Sequence, residues 1–205
     1  MFEKYQLIYC DPPWTYRDQC HAGQRGAGYK YGLMTLDEIK QMPVAELADP
    51  RGCLLAMWWV PPMPQEALDV VKAWGFSFKT MQGFTWHKKT KHGKDHFGMG
   101  NYTRAGAECC LFATVGKPKR VNAGVRSLIE APVGAHSQKP LEARQRLEML
   151  LGDVRRIELF ARTPAVGWDS VGNALDGMDI TVVLRNKIGG CLLYTSDAAD
   201  DLLCV

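Results

Sequence analysis

The chain has 205 residues, 46% of them hydrophobic and 23% charged, with a formal charge of +3. That length and balance suit one globular domain with a sizeable core. No apolar stretch is long enough to cross a bilayer and the N-terminus lacks a secretory pattern, so a cytoplasmic protein with no membrane partner is expected.

Tyr5 to Cys10 is a short apolar run that predicts a buried strand. Asp11-Pro12-Pro13-Trp14 follows it directly. Proline fixes φ, removes a backbone donor and pushes the preceding residue to an extended conformation. The Asp11 carboxylate and the Pro12 carbonyl can then both face outward as acceptors, with Trp14 as a flat wall. Two acceptors beside a π-face suit a planar ring bearing an amino group, such as adenine or cytosine. An ordinary turn with Trp14 in the core is the alternative.

Thr15 to Gly32 is polar and Gly-rich, carries Arg17, Arg25 and Lys30, and reads as a loop beside the pocket. Thr35 and Glu38 have the spacing of a capping box at a helix start. Leu54 to Val60 predicts a second buried strand, stopped by Pro61-Pro62. Pro64 to Trp74 predicts a helix with Ala67, Leu68, Val71 and Trp74 on one face, ended by Gly75. Phe76 to Trp86 reads as a strand pair or one long bent strand. Trp86 to His96 is the densest basic run, with Lys88, Lys89 and Lys91 among its cations and Trp86, Phe97 and Tyr102 nearby, a composition suited to nucleic acid. Its histidine spacing fits no standard metal set.

Glu108 to Val115 predicts another strand, with Cys109-Cys110 as core. The seven cysteines contain no CxxC pair, which points to reduced thiols rather than zinc. Lys139 to Leu151 predicts a helix with Leu141, Leu147, Leu150 and Leu151 facing inward, and Ile157 to Ala161 a further strand. The alternation argues for an α/β fold with a mostly parallel sheet, whose ligands bind beyond the C-terminal strand ends. Asp11, Trp59, Gly116 and Arg162 are expected at such ends. The domain is set at 1–188. Residues 189–205 are read as a non-native tail, because Cys191 to Val205 resembles translated adapter or vector sequence; a genuine C-terminal helix is the alternative. Without that tail, which holds Asp197, Asp200 and Asp201 and no lysine or arginine, the formal charge is +6. A mildly basic chain is compatible with a polyanionic partner.

Three segments then line up in order: Asp11-Pro12-Pro13-Trp14, His136-Ser137-Gln138-Lys139-Pro140, and Glu158-Leu159-Phe160-Ala161-Arg162 with Trp168 and Gly172-Asn173 behind it. Together they resemble the adenine-N6 methyltransferase family that includes the catalytic subunit of the messenger-RNA adenosine methyltransferase (the MT-A-seventy family). The resemblance implies a Rossmann-like S-adenosylmethionine-dependent methyltransferase fold in permuted motif order. It implies S-adenosylmethionine as cofactor, with Lys139 pairing its carboxylate, Arg162 and Asn173 near the ribose, and Asp11 and Glu158 assisting. Glu108 matches a position near the substrate loop, and Trp59 either borders the target base or is core. Where the animal enzyme has a ribose-holding His-Asn pair, this chain has Thr163, Pro164 and Ala165. The upstream segment that helps bracket the adenine is nearly absent, which leaves a stretch near Asn122 to His136 to take its place.

The function this implies is methylation of the adenine 6-amino group, with DNA favoured over RNA by the compact chain. The RNA enzyme and a non-catalytic nucleic-acid-binding scaffold of the same fold are the alternatives. Scaffold partners in this family tend to lose the acidic-Pro-Pro-aromatic set, which is intact here. Oligomeric state is not readable.

Overall fold

The computed structural model describes residues 3–15, 34–100, 102–134 and 138–189. Its elements run β1 (Leu7–Cys10), α1 (Leu36–Lys40), α2 (Val44–Leu47), β2 (Gly52–Trp59), α3 (Pro64–Ala73), β3 (Ser77–Lys89), β4 (Ala107–Gly116), β5 (Leu128–Pro132), α4 (Leu141–Leu151), β6 (Arg156–Leu159), β7 (Asp169–Val171), α5 (Asn173–Asp176) and α6 (Ile180–Gly189). Loop 16–32, residues His136 and Ser137, and the Cys191–Val205 tail lie outside the described residues.

The strands form one seven-stranded sheet in the order β5-β3-β4-β2-β1-β6-β7. β1 pairs parallel with β2 and β6, β6 with β7, and β3 with β5, while β4 runs antiparallel to both of its neighbours. The mostly parallel α/β sheet is as expected, and both its faces are covered. On one face Ile8, Leu55, Met57, Val70, Val71, Ile180 and Leu184 pack together; on the other Leu7, Trp58, Trp86, Leu147 and Leu151 do so.

Local chemistry explains the elements that the site depends on. Thr35 caps α1 in a full capping box with Glu38. Thr15 Oγ1 donates to the Met34 carbonyl at 2.7 Å, so the chain on either side of the 16–33 segment is tied together at its base. β3 is the single long bent strand, with its register shifting between Phe78 and Phe84. At position 83 a Cβ would run into the Phe112 ring, so only glycine lets that ring cross the bend.

Four expectations need correction. Gly116 lies at the edge opposite Asp11, because β4 is reversed and Gly116 pairs with Gly52 at the start of β2. Leu141 is 58% exposed rather than inward-facing, since it opens the first turn of α4. Lys139 precedes that helix: Pro140 is extended at φ −64°, ψ 136° and serves as its N-cap. Of the stretch from Asn122 to His136, the part up to Pro132 leads into β5, the far edge strand, five strand spacings from β6 and so roughly 24 Å from Arg162, while residues 135–137 lie outside the described residues.

Candidate active site

Reversal of β4 gathers the chemistry. With every other strand running one way, a single sheet edge receives Asp11 after β1, Trp59 at the end of β2, Lys88 and Lys89 at the end of β3, and Glu108 near the start of β4. Gly172 and Asn173, after β7, share the edge. The extended segment before α4 brings in Lys139.

There Lys139 Nζ lies 2.6 Å from Asp11 Oδ2 and 3.3 Å from Glu108 Oε2. Lys88 Nζ lies 2.5 Å from Glu108 Oε1. Asp11, Lys139, Glu108 and Lys88 thus form a chain of alternating charge, all partly sheltered. Each lysine also sits over an indole, Lys139 5.5 Å from the Trp58 ring centroid and Lys88 5.4 Å from that of Trp86. Burial alone would push the Lys139 ammonium down, but Asp11 and Glu108 outweigh it and hold its pKa above 10.5. Burial pushes Glu108 up, but Lys139 and Lys88 outweigh that and hold its carboxyl below 4.5. Glu108 and Lys139 are therefore both ionised at neutral pH, in a cluster where two lysines face two carboxylates.

The Asp-Pro-Pro-Trp segment differs from expectation in two ways. The Pro12 carbonyl accepts from the Trp14 backbone N–H at 2.9 Å, so one of its lone pairs is taken by a tight turn. Trp14 is 6% exposed rather than an open wall, and its indole N–H donates to the Trp58 carbonyl at 2.9 Å. The ring is a core anchor that fixes the direction in which Asp11 leaves β1. Pro12 is buried and Pro13 half-buried beside it.

Other positions divide. Trp59 is partly buried and donates to the Met81 carbonyl at 3.0 Å. Lys89 is held by Asp95 at 2.8 Å and Glu130 at 3.1 Å, alongside His87, while Lys91 is exposed. The basic run is therefore not uniformly presented to a ligand: Lys88 turns to Glu108 and Lys89 to a local carboxylate pair. Among the described residues no group of three His, Cys, Asp or Glu side chains could hold a metal ion.

Glu158 leaves β6 on the α4 face and pairs with Arg144 Nη1 at 2.7 Å. The resemblance sets it to support Arg162 or the cofactor; its ion-pair partner is this α4 cation. Its carboxyl is raised, by burial first and with Asp11 adding, against the pull of Arg144. Arg162 is half-buried beyond β6. Phe160, just before it, has φ 61°, a left-handed conformation that non-glycine residues rarely hold and that often marks a functional turn. Asn173 is exposed, and its side-chain oxygen accepts from the Ile180 N–H at 3.0 Å. That bond uses the oxygen and not the amide NH2. A hollow of about 340 Å³ lies between the start of α4 and the 164–168 loop, lined by Arg144, Glu148, Pro164 and Trp168 among others; neither Asp11 nor Asn173 lines it.

Two participants escape a sequence reading. Trp58 joins the site's halves by accepting from Trp14, donating to the Tyr9 hydroxyl at 2.7 Å and underlying Lys139. The signal was its parity in β2, since alternate residues of a strand face opposite sides. Arg144 carried no signal, because which strand carboxylate a helix cation meets depends on packing.

The sequence matches the MT-A70 family model over residues 5–174. The chain belongs to the MT-A70 family. The resemblance carried by its three motifs is borne out. It is 30% identical to the type II methyltransferase M.MunI of Mycoplasma sp, covering 91% of this chain and 84% of that protein. It is 29% identical to the N(6)-adenosine-methyltransferase MT-A70-like protein of Drosophila melanogaster and 28% identical to the N(6)-adenosine-methyltransferase catalytic subunit METTL3 of Homo sapiens. These alignments cover 85% and 90% of this chain but only 28% and 31% of those longer proteins.

Methyltransferases of this family take their methyl group from S-adenosylmethionine. The edge of this MT-A70 chain fits the amino-acid end of that molecule. A zwitterion offers an ammonium and a carboxylate, and Asp11 and Lys139 present the complementary pair side by side.

Proposed function

We propose that this chain methylates the exocyclic 6-amino group of adenine in DNA. The observation that carries the reading is the Asp11–Lys139–Glu108 cluster on the edge where the motif after β1 meets the segment before α4. A relative matched over most of both chains is named a type II methyltransferase, which supports DNA over RNA.

When bound, S-adenosylmethionine supplies a methyl group already activated by a sulfonium charge. Lys139 would hold its carboxylate, while Arg162 and the Asn173 amide would reach its ribose. The adenine amino group is a poor nucleophile because its lone pair is delocalised into the ring. Asp11 accepts an N–H of that group and the second lone pair of the Pro12 carbonyl accepts the other, which draws the nitrogen toward tetrahedral geometry. Charge that grows on nitrogen in the transition state is stabilised by a carboxylate whose position Lys139 and the Trp14–Trp58 anchor have fixed beforehand. Once the nitrogen has taken that methyl group, Asp11 or water would accept its surplus proton. Glu108, Lys88, Lys91 and Trp59 border the base and its strand. In a duplex the base must first leave the stack, at a cost of a few kcal/mol.

The test is transfer of labelled methyl groups to matched DNA and RNA oligonucleotides, followed by mapping of the modified base. N6-methyladenine in DNA, absent with Asp11→Ala, is the expected result. Wild-type turnover in that variant, or label on another atom, would sink the assignment. Label on RNA alone would turn it to the RNA enzyme.

A further inference from the structure

Between β4 and β5 the chain reads Lys117-Pro118-Lys119-Arg120-Val121-Asn122-Ala123-Gly124-Val125-Arg126, with no carboxylate in it. Lys117, Lys119, Arg120 and Arg126 are all exposed, and none has a carboxylate partner among the described residues. By contrast Lys88, Lys89, Lys139, Arg144, Arg146 and Arg156 sit in ion pairs; what sets this stretch apart is four cations within ten residues, unpaired among the described residues, and no carboxylate among them. Like charges crowded without counter-ions repel one another, and a polyanion relieves that repulsion.

The segment is held firmly under its charges. Lys117 N–H donates to the Arg51 carbonyl at 2.9 Å, and Val121 N–H to the Leu150 carbonyl at 2.9 Å. Gly124 N–H donates to the Asn122 side chain at 2.8 Å. Arg146 of α4 donates to the Arg126 carbonyl and, at 2.7 Å, to that of Leu128. A backbone tied at both ends and in the middle pays little ordering cost when a ligand arrives.

Its course matters as much as its charge. Gly116 sits level with Gly52 at the lower edge, whereas Leu128 pairs with Thr85, which faces Cys109 near the catalytic edge. Seven strand positions separate those levels on β4, a climb of roughly 23 Å. Lys117, Lys119 and Arg120 stand at the start of that climb, before Val121 reaches the last turn of α4, and Arg126 stands two residues before Leu128, whose partner Thr85 is three residues short of Lys88 on β3. At about 3.4 Å per base pair, that climb matches about seven pairs of duplex.

We propose that the 117–126 connection is a track for the phosphate backbone of the nucleic-acid substrate, leading up the flank of the sheet to the edge that holds Asp11. The proposal rests on the reading of the chain as a nucleic-acid methyltransferase. An acidic protein would satisfy the charge but has no reason to follow a climb toward the reacting edge.

The experiment compares the full chain with a variant carrying Lys117→Gln, Lys119→Gln, Arg120→Gln and Arg126→Gln. Binding of a fluorescent mixed-sequence DNA duplex is measured between about 50 and 200 mM salt. The slope of log affinity against log salt should fall by about 0.9 for each phosphate no longer neutralised, up to about 3.6 for the four cations. S-adenosylmethionine binding and thermal melting should stay at wild-type values. A control with Lys72→Gln and Arg185→Gln, on α3 and α6 across the opposite face, should keep the wild-type slope. An unchanged slope in the fourfold variant, with wild-type duplex binding intact, overturns the track and leaves the enzymatic reading standing. A wild-type chain that binds no duplex, single-stranded DNA or RNA overturns both.

Discussion

Lys139 and Asp11, 128 positions apart in sequence, meet at 2.6 Å where the turn after β1 faces the segment before α4. The contact joins the first of the three sequence motifs to the second. Lys139→Met should leave Asp11 without its cation and weaken S-adenosylmethionine binding roughly 30-fold or more, read by calorimetry. Lys139→Arg should restore charge but not fit, because a longer planar guanidinium cannot take the place of a compact ammonium between the Asp11 and Glu108 carboxylates. Wild-type affinity in Lys139→Met would remove it from the cofactor site.

Glu108 carries a pH signature. A carboxyl held below its ordinary 4.5 in the folded chain contributes stability above that value and loses it as pH falls through the folded pKa. Lys139, held above 10.5, contributes stability that is complete below that value and is lost as pH rises through its own folded pKa. Between the two limits Glu108 and Lys139 both keep their charge. The difference in urea midpoint between wild type and Glu108→Gln should therefore be constant through neutral pH and shrink in acid below 4.5. A difference that vanishes nearer neutrality would mean that Glu108 is not clamped by its lysines.

Gly172 joins β7 to the cofactor edge by close approach. Its φ of 174° is ordinary extended backbone, so the constraint is space. A Cβ there would lie 2.7 Å from the Ala161 nitrogen and closer still to the Ala161 carbonyl oxygen. Gly172→Ala must push β7 away from Phe160 and Ala161, costing about 1–3 kcal/mol and moving Asn173 off the edge. Lower thermal stability together with lost S-adenosylmethionine binding is expected. A variant that melts like wild type would show that the two segments separate easily.

Tyr5 supplies the contrasting case on the opposite edge. Its hydroxyl donates to Asp169, to which Arg155 and Lys187 Nζ also turn, at 3.6 and 3.3 Å. Burial and the neighbouring Asp169 push the phenol well above its usual value, so it stays a donor at all working pH. Tyr5→Phe should cost about 1 kcal/mol, a fall in Tm of roughly 2–4 °C, with methyl transfer unchanged. A loss of turnover beyond what the melting shift explains would tie the two edges together.

What the sequence makes legible follows from where the determining forces act. Buried strands read as continuous apolar runs, and a capping box is local, so β1, β2, β4 and α1 are readable from single segments. The direction of β4 is not: a strand buried on both faces has the same composition whichever way it runs. That one reversal moves Gly116 away from the site and Glu108 into it. Asp11, Lys139 and Glu108 could be named from motifs, but their mutual neutralisation could not, because it depends on three chain segments meeting. Trp14 looks the same in sequence as wall or as anchor, and only the carbonyl of Trp58 decides. Short strands such as β5 and β7 draw their stability from neighbours rather than from their own pattern.

The hydrogen bond from Thr15 to Met34 has an evolutionary reach. A neck that closes on itself lets the residues strung between be exchanged, lengthened or shortened without disturbing the floor on either side. Each doubling of such a span costs only about 0.6 kcal/mol of closure entropy. Substitutions within that span can therefore accumulate across generations while Asp11 stays where β1 delivers it.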